Sequence, residues 1–240
     1  MTGTDTGPGA PGRPDATLGV TDLTKTYGDT KALDAVGVAW GTGLHCVAGP
    51  NGSGKTTLLR VLAGLTRPDS GAVTAPDSLG FAFQEPNVYP DLTVDENLDV
   101  FASLTGGSEE WRESLVQRLR LGPERDRRAA DLSGGFEKKL DLALALVKAP
   151  DALILDEPLA DLDPATRRRL VAVATEYARD HCVLACTHNL SAFREDYESL
   201  TVLVDGRVRH RHDRAETDGG PADAYERLLD DVATGRGNGF

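Results

Sequence analysis

Two short stretches carry residues whose types and spacing suit the binding of phosphate groups. The first, GPNGSGKTT at 49–57, combines three glycines with a lysine and two threonines. Glycines let successive backbone N–H groups converge on phosphate oxygens, a lysine can reach the β- and γ-phosphates, and a threonine hydroxyl can ligate Mg²⁺. The second, LSGG at 132–135, places a serine and two glycines at the start of an apolar-periodic segment. The positive end of a helix attracts anions, so the sequence predicts two anion-binding loops in one chain.

The first loop matches the pattern GxxxxGK[ST] and lies between an apolar strand predicted at 44–48 and a helix predicted at 55–65. This strand–loop–helix context is the one in which the pattern holds a nucleotide. Lys55 is expected to contact the β- and γ-phosphates, and Thr56 to ligate Mg²⁺. The residues predicted to bind the nucleotide here are Gly49, Pro50, Asn51, Gly52, Ser53, Gly54, Lys55, Thr56 and Thr57.

An acidic pair, Asp156 and Glu157, directly follows the apolar run at 152–155. Open α/β sheets bind ligands at the carboxyl ends of their strands, so both carboxylates should lie beside the glycine loop. Asp156 is predicted to lie near Mg²⁺, and Glu157 is placed to polarise an attacking water. The loop and the acidic pair together predict the hydrolysis of a nucleoside triphosphate.

Hydrophobic patterning indicates the elements that position these loops. Between about residues 90 and 148 the strand signals disappear and three helices are predicted, the first with a capping box from Thr93 to Glu96. Strand–helix alternation on both sides of this region predicts a parallel α/β core with a helical insertion lobe. Strands are predicted at 18–27, 35–40, 44–48, 79–84, 152–155, 182–186 and 201–208, and further helices at 55–65 and 164–179.

The chain is predicted to have three parts. Residues 1–16 are rich in Gly, Pro, Thr and Asp and are expected to form a disordered tail. Residues 17–210 are expected to form the nucleotide-binding domain, with the helical lobe at about 90–148. Residues 211–240 are polar and are expected to form a helix and a tail.

Composition narrows the classes of protein to which the chain can belong. The 240 residues are 40% hydrophobic, contain no apolar run long enough to span a bilayer and show no secretory signal, which predicts a cytoplasmic protein. The net charge of −12 opposes non-specific binding to nucleic acid. Adaptation to high salt and an arginine-biased genome both explain the acidic, lysine-poor composition. Cys182 and Cys186 lie about 13 Å apart if their segment is a strand, which favours buried core thiols over a disulfide or shared metal.

In this order the motifs resemble those of the ATP-binding subunit of an ATP-binding-cassette (ABC) transporter, from about residue 18 to residue 209. Tyr27 stands where an aromatic ring stacks on adenine, and Gln84 follows in FAFQEP. The LSGG signature and LILDEP come next, followed by Asp163 in LADLDP and His188 in CTHN. Each landmark alone is weak, but the ordered set is specific.

The resemblance implies a P-loop NTPase core with a mostly parallel sheet flanked by helices, an antiparallel β subdomain and the helical lobe. It also implies why one chain carries two loops. Two such subunits pack head to tail, so that each ATP lies between the P-loop of one and the signature of the other. Ser133, Gly134 and Gly135 then contact the γ-phosphate of the partner's ATP.

The resemblance assigns further roles and partners. Glu157 is implied to be the catalytic base, His188 to contact the γ-phosphate together with Lys55, and Asp163 to couple the two sites. Gln84 is implied to help coordinate Mg²⁺ and to report to the membrane partner. The implied cofactors are ATP and Mg²⁺. The implied partners are separately encoded transmembrane permease subunits and a second copy or a related ATPase subunit, at the cytoplasmic face of the membrane.

Some positions depart from the family pattern. Phe136 follows the signature where glutamine is usual. We expect this to have little effect on the binding of phosphate by the serine and glycines. Leu159 and Asp161 stand where threonine and glycine are common, and Asp161 is expected to affect interface geometry or ATPase rate. The segment at 71–78 is shorter than the usual hairpin and loop.

The direction of transport has two interpretations. The stretch Lys138-Lys139-Leu140-Asp141 and the segment at 89–106 favour an exporter subunit of the ABC-2 type. FQEP at 83–86 and the short hairpin are features of some importers. A soluble ABC ATPase acting on DNA or ribosomes is a third possibility, but it usually carries a coiled-coil insertion or two cassettes, and this chain shows neither. Glu157 argues against a module that binds ATP without hydrolysing it.

Overall fold

The computed structural model describes residues 18–194, 196–214 and 220–233. The tail predicted at 1–16 and the last residues, 234–240, lie outside this part of the chain. The strands are β1 (Leu18–Tyr27), β2 (Thr30–Trp40), β3 (Gly43–Ala48), β4 (Ser70–Thr74), β5 (Leu79–Ala82), β6 (Ala152–Asp156), β7 (Cys182–Cys186), β8 (Tyr197–Val204) and β9 (Arg207–Asp213). The α-helices are α1 (Lys55–Leu62), α2 (Val94–Thr105), α3 (Glu109–Leu119), α4 (Gly134–Leu146), α5 (Pro164–Ala178) and α6 (Pro221–Ala233).

A six-stranded sheet forms the centre of the molecule, in the order β5-β6-β7-β3-β8-β9. The first five strands run parallel, and β9 pairs antiparallel with β8 at one edge. In the register, Cys186 lies opposite both Asp156 and Val47. The ends of β3, β6 and β7 therefore meet at one edge of the sheet, where the predicted loops begin.

Helices cover both faces of this sheet, and the central strands β6 and β7 are buried along their whole length, as is usual for parallel strands covered on both faces. Along β6, Leu153 and Leu155 pack on the side of α4 and α5, whereas Ala152 and Ile154 pack on the side of α1. The same alternation holds along β3 and β7. The predicted α/β fold with a mostly parallel sheet is confirmed.

A separate antiparallel sheet, in the order β2-β1-β4, packs beside α1. The β1–β2 hairpin turns at Gly28 and Asp29, between the paired residues Tyr27 and Thr30. This sheet is the antiparallel subdomain that the resemblance implied. Its inner face shares a hydrophobic cluster with α1, which begins directly after the glycine loop.

Helices α2, α3 and α4 all lie between residues 90 and 148, the range predicted for the lobe. The predicted capping box is present in α2, where Glu96 N–H donates to Thr93 Oγ1 at 3.2 Å and Thr93 N–H donates to Glu96 Oε2 at 2.8 Å. None of the helices in the described part of the chain combines the length and the apolar character needed to cross a lipid bilayer.

Several strand predictions need correction. Strand β2 begins at Thr30 rather than at residue 35, β8 begins at Tyr197 rather than at residue 201, and β4 was not predicted. The stretch at 201–208 is not one strand, because Asp205 and Gly206 both have positive φ, 49° and 73°, and turn the chain between β8 and β9. Paired positive φ values with an Asp-Gly sequence are typical of a tight hairpin turn. The strand predicted at 79–84 ends at Ala82, because the N–H of Phe83 donates to the carboxylate of Asp141 instead of to a strand.

The cysteine prediction is confirmed. Cys182 and Cys186 both lie on β7, are buried and are free thiols, as is Cys46 on β3. Burial raises the pKa of Cys46 and of Cys182 to about 12, so both remain neutral thiols in the core.

Candidate active site

A cavity of about 760 Å³ opens at the carboxyl ends of the parallel strands. Its walls come from the glycine loop, the start of α1, the ends of β6 and β7 and the segment after β5. It brings together residues predicted from separate motifs. The predicted residues that line it are Asn51, Gly52, Gly54, Lys55, Thr56, Thr57, Gln84, Asp156, Glu157 and His188.

Two glycines of the loop are required by close backbone contacts. Gly49 has φ 154°, and a Cβ there would lie 2.0 Å from the carbonyl oxygen of Leu203. Gly54 has φ 101°, and a Cβ there would lie 2.3 Å from the carbonyl oxygen of Ala32. Only glycine fits such positions, which lets the loop lie tightly between the central sheet and the antiparallel subdomain.

Lys55 begins α1 and turns its side chain back over the loop. Its Nζ donates to the carbonyl oxygens of Gly49 at 2.8 Å and Pro50 at 2.9 Å. The side chain is buried, which places the ammonium group inside the concave side of the loop. The N-terminus of α1 adds the positive end of a helix dipole, so this loop is a strong anion site.

Asp156 ends β6 on the floor of the cavity. It is buried, and its Oδ1 has no hydrogen-bond partner among the described residues. Burial raises the pKa of Asp156, and the neighbouring charge of Glu157 raises it further. A buried, unpaired carboxylate oxygen next to a phosphate-binding loop is suited to a hard divalent cation, because Mg²⁺ prefers oxygen ligands and favours the ionised carboxylate.

Glu157 is held in an unusual backbone conformation. Its φ is 46°, in the left-handed region that non-glycine residues rarely adopt. Its N–H donates to the carbonyl oxygen of Cys186 at 2.8 Å, which fixes the end of β6 against the end of β7. Residues held in such conformations cluster at functional sites, where the surroundings impose the geometry.

The side chain of Glu157 faces His188. The N–H of His188 donates to Glu157 Oε2 at 3.3 Å, and His188 Nε2 lies 3.3 Å from Glu157 Oε1. The His188 side chain is otherwise exposed to the cavity, whereas that of Glu157 is largely buried. The arrangement offers a carboxylate that can accept a proton beside an imidazole that can contact a developing anion.

Comparison with known proteins places these features in a family. A sequence model of the ABC transporter family matches residues 42–160. The Nod factor export ATP-binding protein I of Burkholderia lata is 34% identical over 212 residues, which cover 81% of this chain and 70% of that protein. The chain belongs to the ABC transporter family. It is an ATP-binding and ATP-hydrolysing cassette, the ATP-binding subunit of a transporter.

Other relatives and solved structures are also ATP-binding cassettes, but the names of the relatives include both export and import proteins. The aliphatic sulfonates import ATP-binding protein SsuB 1 of Nocardia farcinica is 36% identical, over 79% of each chain. A solved ATP-binding subunit of an ABC transporter matches with a TM-score of 0.78 and 25% identity, over 88% of this chain and 99% of its own. The cassette MJ0796, solved as a dimer in a post-hydrolysis state bound to ADP and Pi, matches with a TM-score of 0.71 and 25% identity, over 82% of this chain and 98% of its own.

The remaining predicted residues of the cassette lie outside the cavity. Ser133 caps α4 without a side-chain hydrogen bond to the helix, and both Ser133 and Gly134 are exposed. Gly135 is the second residue of α4 and lies close to Asp163 and Thr166 at the start of α5. The predicted residues that do not line the cavity are Gly49, Pro50 and Ser53 of the P-loop and, elsewhere in the chain, Tyr27, Ser133, Gly134, Gly135 and Asp163.

Two of these outlying residues have environments of their own. Tyr27 ends β1 with 49% of its surface exposed, and Lys25 Nζ lies 5.4 Å from its ring centroid. Asp163 caps α5, where its Oδ1 accepts from the N–H groups of Ala165 at 2.8 Å and Thr166 at 3.0 Å. Hydrogen bonds from Thr166 hold the pKa of Asp163 below its usual range.

Three residues that depart from the family pattern, Phe136, Leu159 and Asp161, have well-defined environments in the structure. Phe136 is half-buried, with Lys139 Nζ 3.4 Å from its ring centroid, which is a cation–π contact within the first turns of α4. Leu159 is buried in the core, where a threonine hydroxyl needs a partner. Asp161 has φ 58°, so it occupies a left-handed position that suits the glycine common in the family.

Some residues of the cavity wall were not predicted. Thr30, Lys31 and Ala32 line it from the start of β2, and Asp205 and Gly206 line it from the turn between β8 and β9. Two sequence features indicated turns at these positions: Thr30 follows the turn after Tyr27, and Asp205-Gly206 is typical of a hairpin turn. These residues are far from the glycine loop in sequence, so the sequence alone does not indicate that the fold packs them against it.

Proposed function

We propose that this cassette powers an export transporter by ATP-driven, head-to-tail dimerisation with a second copy or a related ATPase subunit. The observation that carries the proposal is the separation of the two anion-binding loops. The P-loop, Asp156, Glu157 and His188 share one cavity, whereas Ser133 of the signature is exposed and does not line that cavity. A second subunit supplies the signature loop that the cavity of each chain lacks.

The chemistry proposed for the cavity is phosphoryl transfer to water, in which positioning and charge stabilisation do most of the catalysis. Lys55 and the N–H groups of the loop hold the β- and γ-phosphates. Glu157 accepts a proton from the attacking water, and His188 contacts the γ-phosphate. Tyr27, exposed at the end of β1, stacks on the adenine ring.

Mg²⁺, when bound, neutralises negative charge on the phosphates. The residues proposed to hold it are Thr56, Gln84 and Asp156, of which Asp156 has a buried oxygen with no hydrogen-bond partner among the described residues. In nucleotide sites this ion is typically bound by one or two carboxylates together with phosphate oxygens and waters, and Asp156 is the carboxylate of this set.

Separately encoded permease subunits are the proposed membrane partners, and the cassette acts at the cytoplasmic face of the membrane. Export is supported by the segment Lys138–Asp141 of α4 and by the 34% identity to a Nod factor export protein. Import is the second candidate, because the similarity to an aliphatic sulfonates import protein is as high. A neighbouring gene for a solute-binding protein contradicts export. A neighbouring gene for a permease, with no gene for a solute-binding protein beside it, supports export.

Sedimentation of the Glu157→Gln variant tests the dimerisation. Hydrolysis is blocked in this variant, so ATP accumulates in the shared site, and the monomer found without nucleotide should become a dimer with ATP. Lys55→Ala is the matched control, because it removes the phosphate contact and should stay monomeric with ATP. A constitutive dimer indifferent to ATP contradicts the proposal.

Salt should strengthen the ATP-dependent dimer. Each subunit carries a net charge of −12, and repulsion between exposed charges is screened within about 10 Å at 0.1 M salt. If the acidic composition is an adaptation to high salt, dimerisation should continue to strengthen up to molar salt. Dimerisation that is unchanged from low to molar salt contradicts a role for this repulsion.

A further inference from the structure

Two residues of α4 hold the backbone on both sides of Gln84. Asp141 Oδ2 accepts from the N–H of Phe83 at 2.9 Å, and its Oδ1 accepts from the N–H of Asn87 at 2.9 Å. Lys138 Nζ donates to the carbonyl oxygen of Phe83 at 3.2 Å and to that of Gln84. The segment at 83–87, which we call the Gln84 loop, is thus fastened to one face of α4 by side chains three residues apart.

The chemistry of this contact is unusual for a helix interior. Asp141 is buried, with 3% of its surface exposed, and charged side chains are rarely buried unless they are paired. Burial raises the pKa of Asp141 to about 6, although the N–H groups of Asn87 and Phe83 and the charge of Lys138 lower it. The carboxylate supplies two acceptors to a loop that has left the β5 strand and has no ladder partner there.

The helix that carries this contact is the one that begins at the signature. Ser133 caps α4, and Lys138 and Asp141 follow within the first turns of the same rigid element. Gln84, at the other end of the contact, lines the cavity together with Asp156 and Glu157. The helix that begins at the signature is therefore hydrogen-bonded to the backbone of the loop that carries Gln84.

We propose that Asp141 and Lys138 are positioning residues, which place Gln84 at the ATP site by fastening its loop to the signature helix. The proposal rests on the proposed function, in which Gln84 helps hold Mg²⁺. It predicts that loss of the hydrogen bonds between α4 and the Gln84 loop slows ATP hydrolysis but does not weaken the binding of ATP to the P-loop. It also gives the Lys-Lys-Leu-Asp stretch at 138–141 a physical role that does not depend on the direction of transport.

Turnover and ATP binding are measured separately in Asp141→Asn, in Gln84→Ala and in the double variant. An amide offers one acceptor and turns a donor towards an N–H group, so Asp141→Asn breaks at least one of the two bonds. Misplacement of a catalytic-site group can cost on the order of 100-fold in rate, and we expect a loss of about 10- to 100-fold in kcat. Equilibrium binding of ATP to the monomer should stay within about twofold, because the P-loop is untouched.

The double variant decides whether Asp141 acts through Gln84. If it does, adding Asp141→Asn to Gln84→Ala should change kcat no further, because coupled residues give non-additive effects. Losses that multiply overturn the proposal, since they indicate a general effect on the helix. Glu137→Gln is the matched control, because it removes one negative charge from the same helix, one residue before Lys138. It should leave kcat unchanged, and it should not alter the effect of Gln84→Ala on kcat.

The outcomes separate this inference from the proposed function. A loss in Gln84→Ala with normal turnover in Asp141→Asn overturns the inference alone, whereas normal turnover in Gln84→Ala overturns the role of Gln84 on which both depend. If Asp141→Asn does not fold, as thermal unfolding will report, Lys138→Met replaces it. That variant removes the donors to Phe83 and Gln84 from a partly exposed position, and it should show the same non-additivity with Gln84→Ala.

Discussion

Glu157 and His188 extend from the ends of two paired strands, and their side chains meet with His188 Nε2 3.3 Å from Glu157 Oε1. The parallel register sets this meeting, because Asp156 lies opposite Cys186 and each functional residue follows shortly after. Glu157 adopts a left-handed φ directly after β6, and it lines the cavity together with His188. The contact thus depends on the sheet as well as on the two residues.

Glu157→Gln should lower the rate of ATP hydrolysis by about 100-fold or more, the scale expected for a positioned general base. Glutamine keeps the size of the side chain and an acceptor for the His188 N–H, so ATP affinity should change little. Single-turnover hydrolysis and equilibrium ATP binding measure the two quantities. Glu110→Gln, the same chemical change at an exposed position on α3, should hydrolyse ATP normally. Near-normal turnover in Glu157→Gln removes Glu157 from the role of base.

The extent to which the sequence predicted the site follows from how local each signal is. The P-loop is a continuous strand, loop and helix, and Asp156 with Glu157 ends a continuous apolar run, so both could be placed from short windows of sequence. The fastening of Gln84 by Asp141 could not, because hydrogen bonds across 54 to 58 positions leave no periodic signal. The wall at Thr30 and Gly206 was missed for the same reason.

Asp161 provides a test of backbone strain at the loop before α5. At φ 58° a residue with a Cβ is less favourable than glycine, by about 1 kcal/mol. Asp161→Gly should therefore be more stable than Asp161→Ala by about that amount, as measured by urea unfolding. At Arg168, exposed within α5, the order should reverse, because alanine is the better helix former by about 1 kcal/mol. A more stable alanine variant at 161 contradicts the left-handed conformation.

His45 predicts a pH dependence of stability. It lies buried on β3, where a neutral ring donates from Nε2 to the Gly41 carbonyl oxygen at 3.0 Å and accepts at Nδ1 from the Ser199 hydroxyl at 2.8 Å. Burial lowers the pKa of His45 below its usual 6.5. The unfolded chain then binds a proton more readily than the folded one, so this contribution to stability is present above about pH 6.5 and is lost as the pH falls.

The variant His45→Gln keeps a donor for Gly41 but cannot be protonated. Between pH 7.5 and pH 5.5 the wild-type cassette should lose up to about 1.4 kcal/mol more unfolding free energy than this variant. Urea unfolding of both proteins at the two pH values gives the difference. His210→Gln, at an exposed position on β9, is the control and should follow the wild type. Equal losses in His45→Gln and the wild type exclude a buried neutral His45.

The separation of the P-loop from the signature leads to a complementation test. Lys55→Ala disables the P-loop in one chain, and Ser133→Arg disables the signature in another by filling the anion site with bulk. In a homodimer of either variant both shared sites are defective. In a mixed dimer both defects fall in one site, which leaves the other with an intact Lys55 loop and an intact Ser133 loop. If each signature served the ATP of its own chain, every site in the mixture would be defective.

Mixing the two variants should therefore restore the trapping of about one ATP per mixed dimer, since one of the two shared sites is whole. Both chains carry Glu157→Gln, so that turnover does not remove the trapped nucleotide. Trapping is a better measure than hydrolysis, because hydrolysis can require both sites to be sound. Differently tagged chains and a pull-down establish that mixed dimers have formed. If they have formed and no ATP is trapped beyond that of either variant alone, the two loops do not share a site. If the native partner is a related cassette chain, the same pair of substitutions is divided between the two chains.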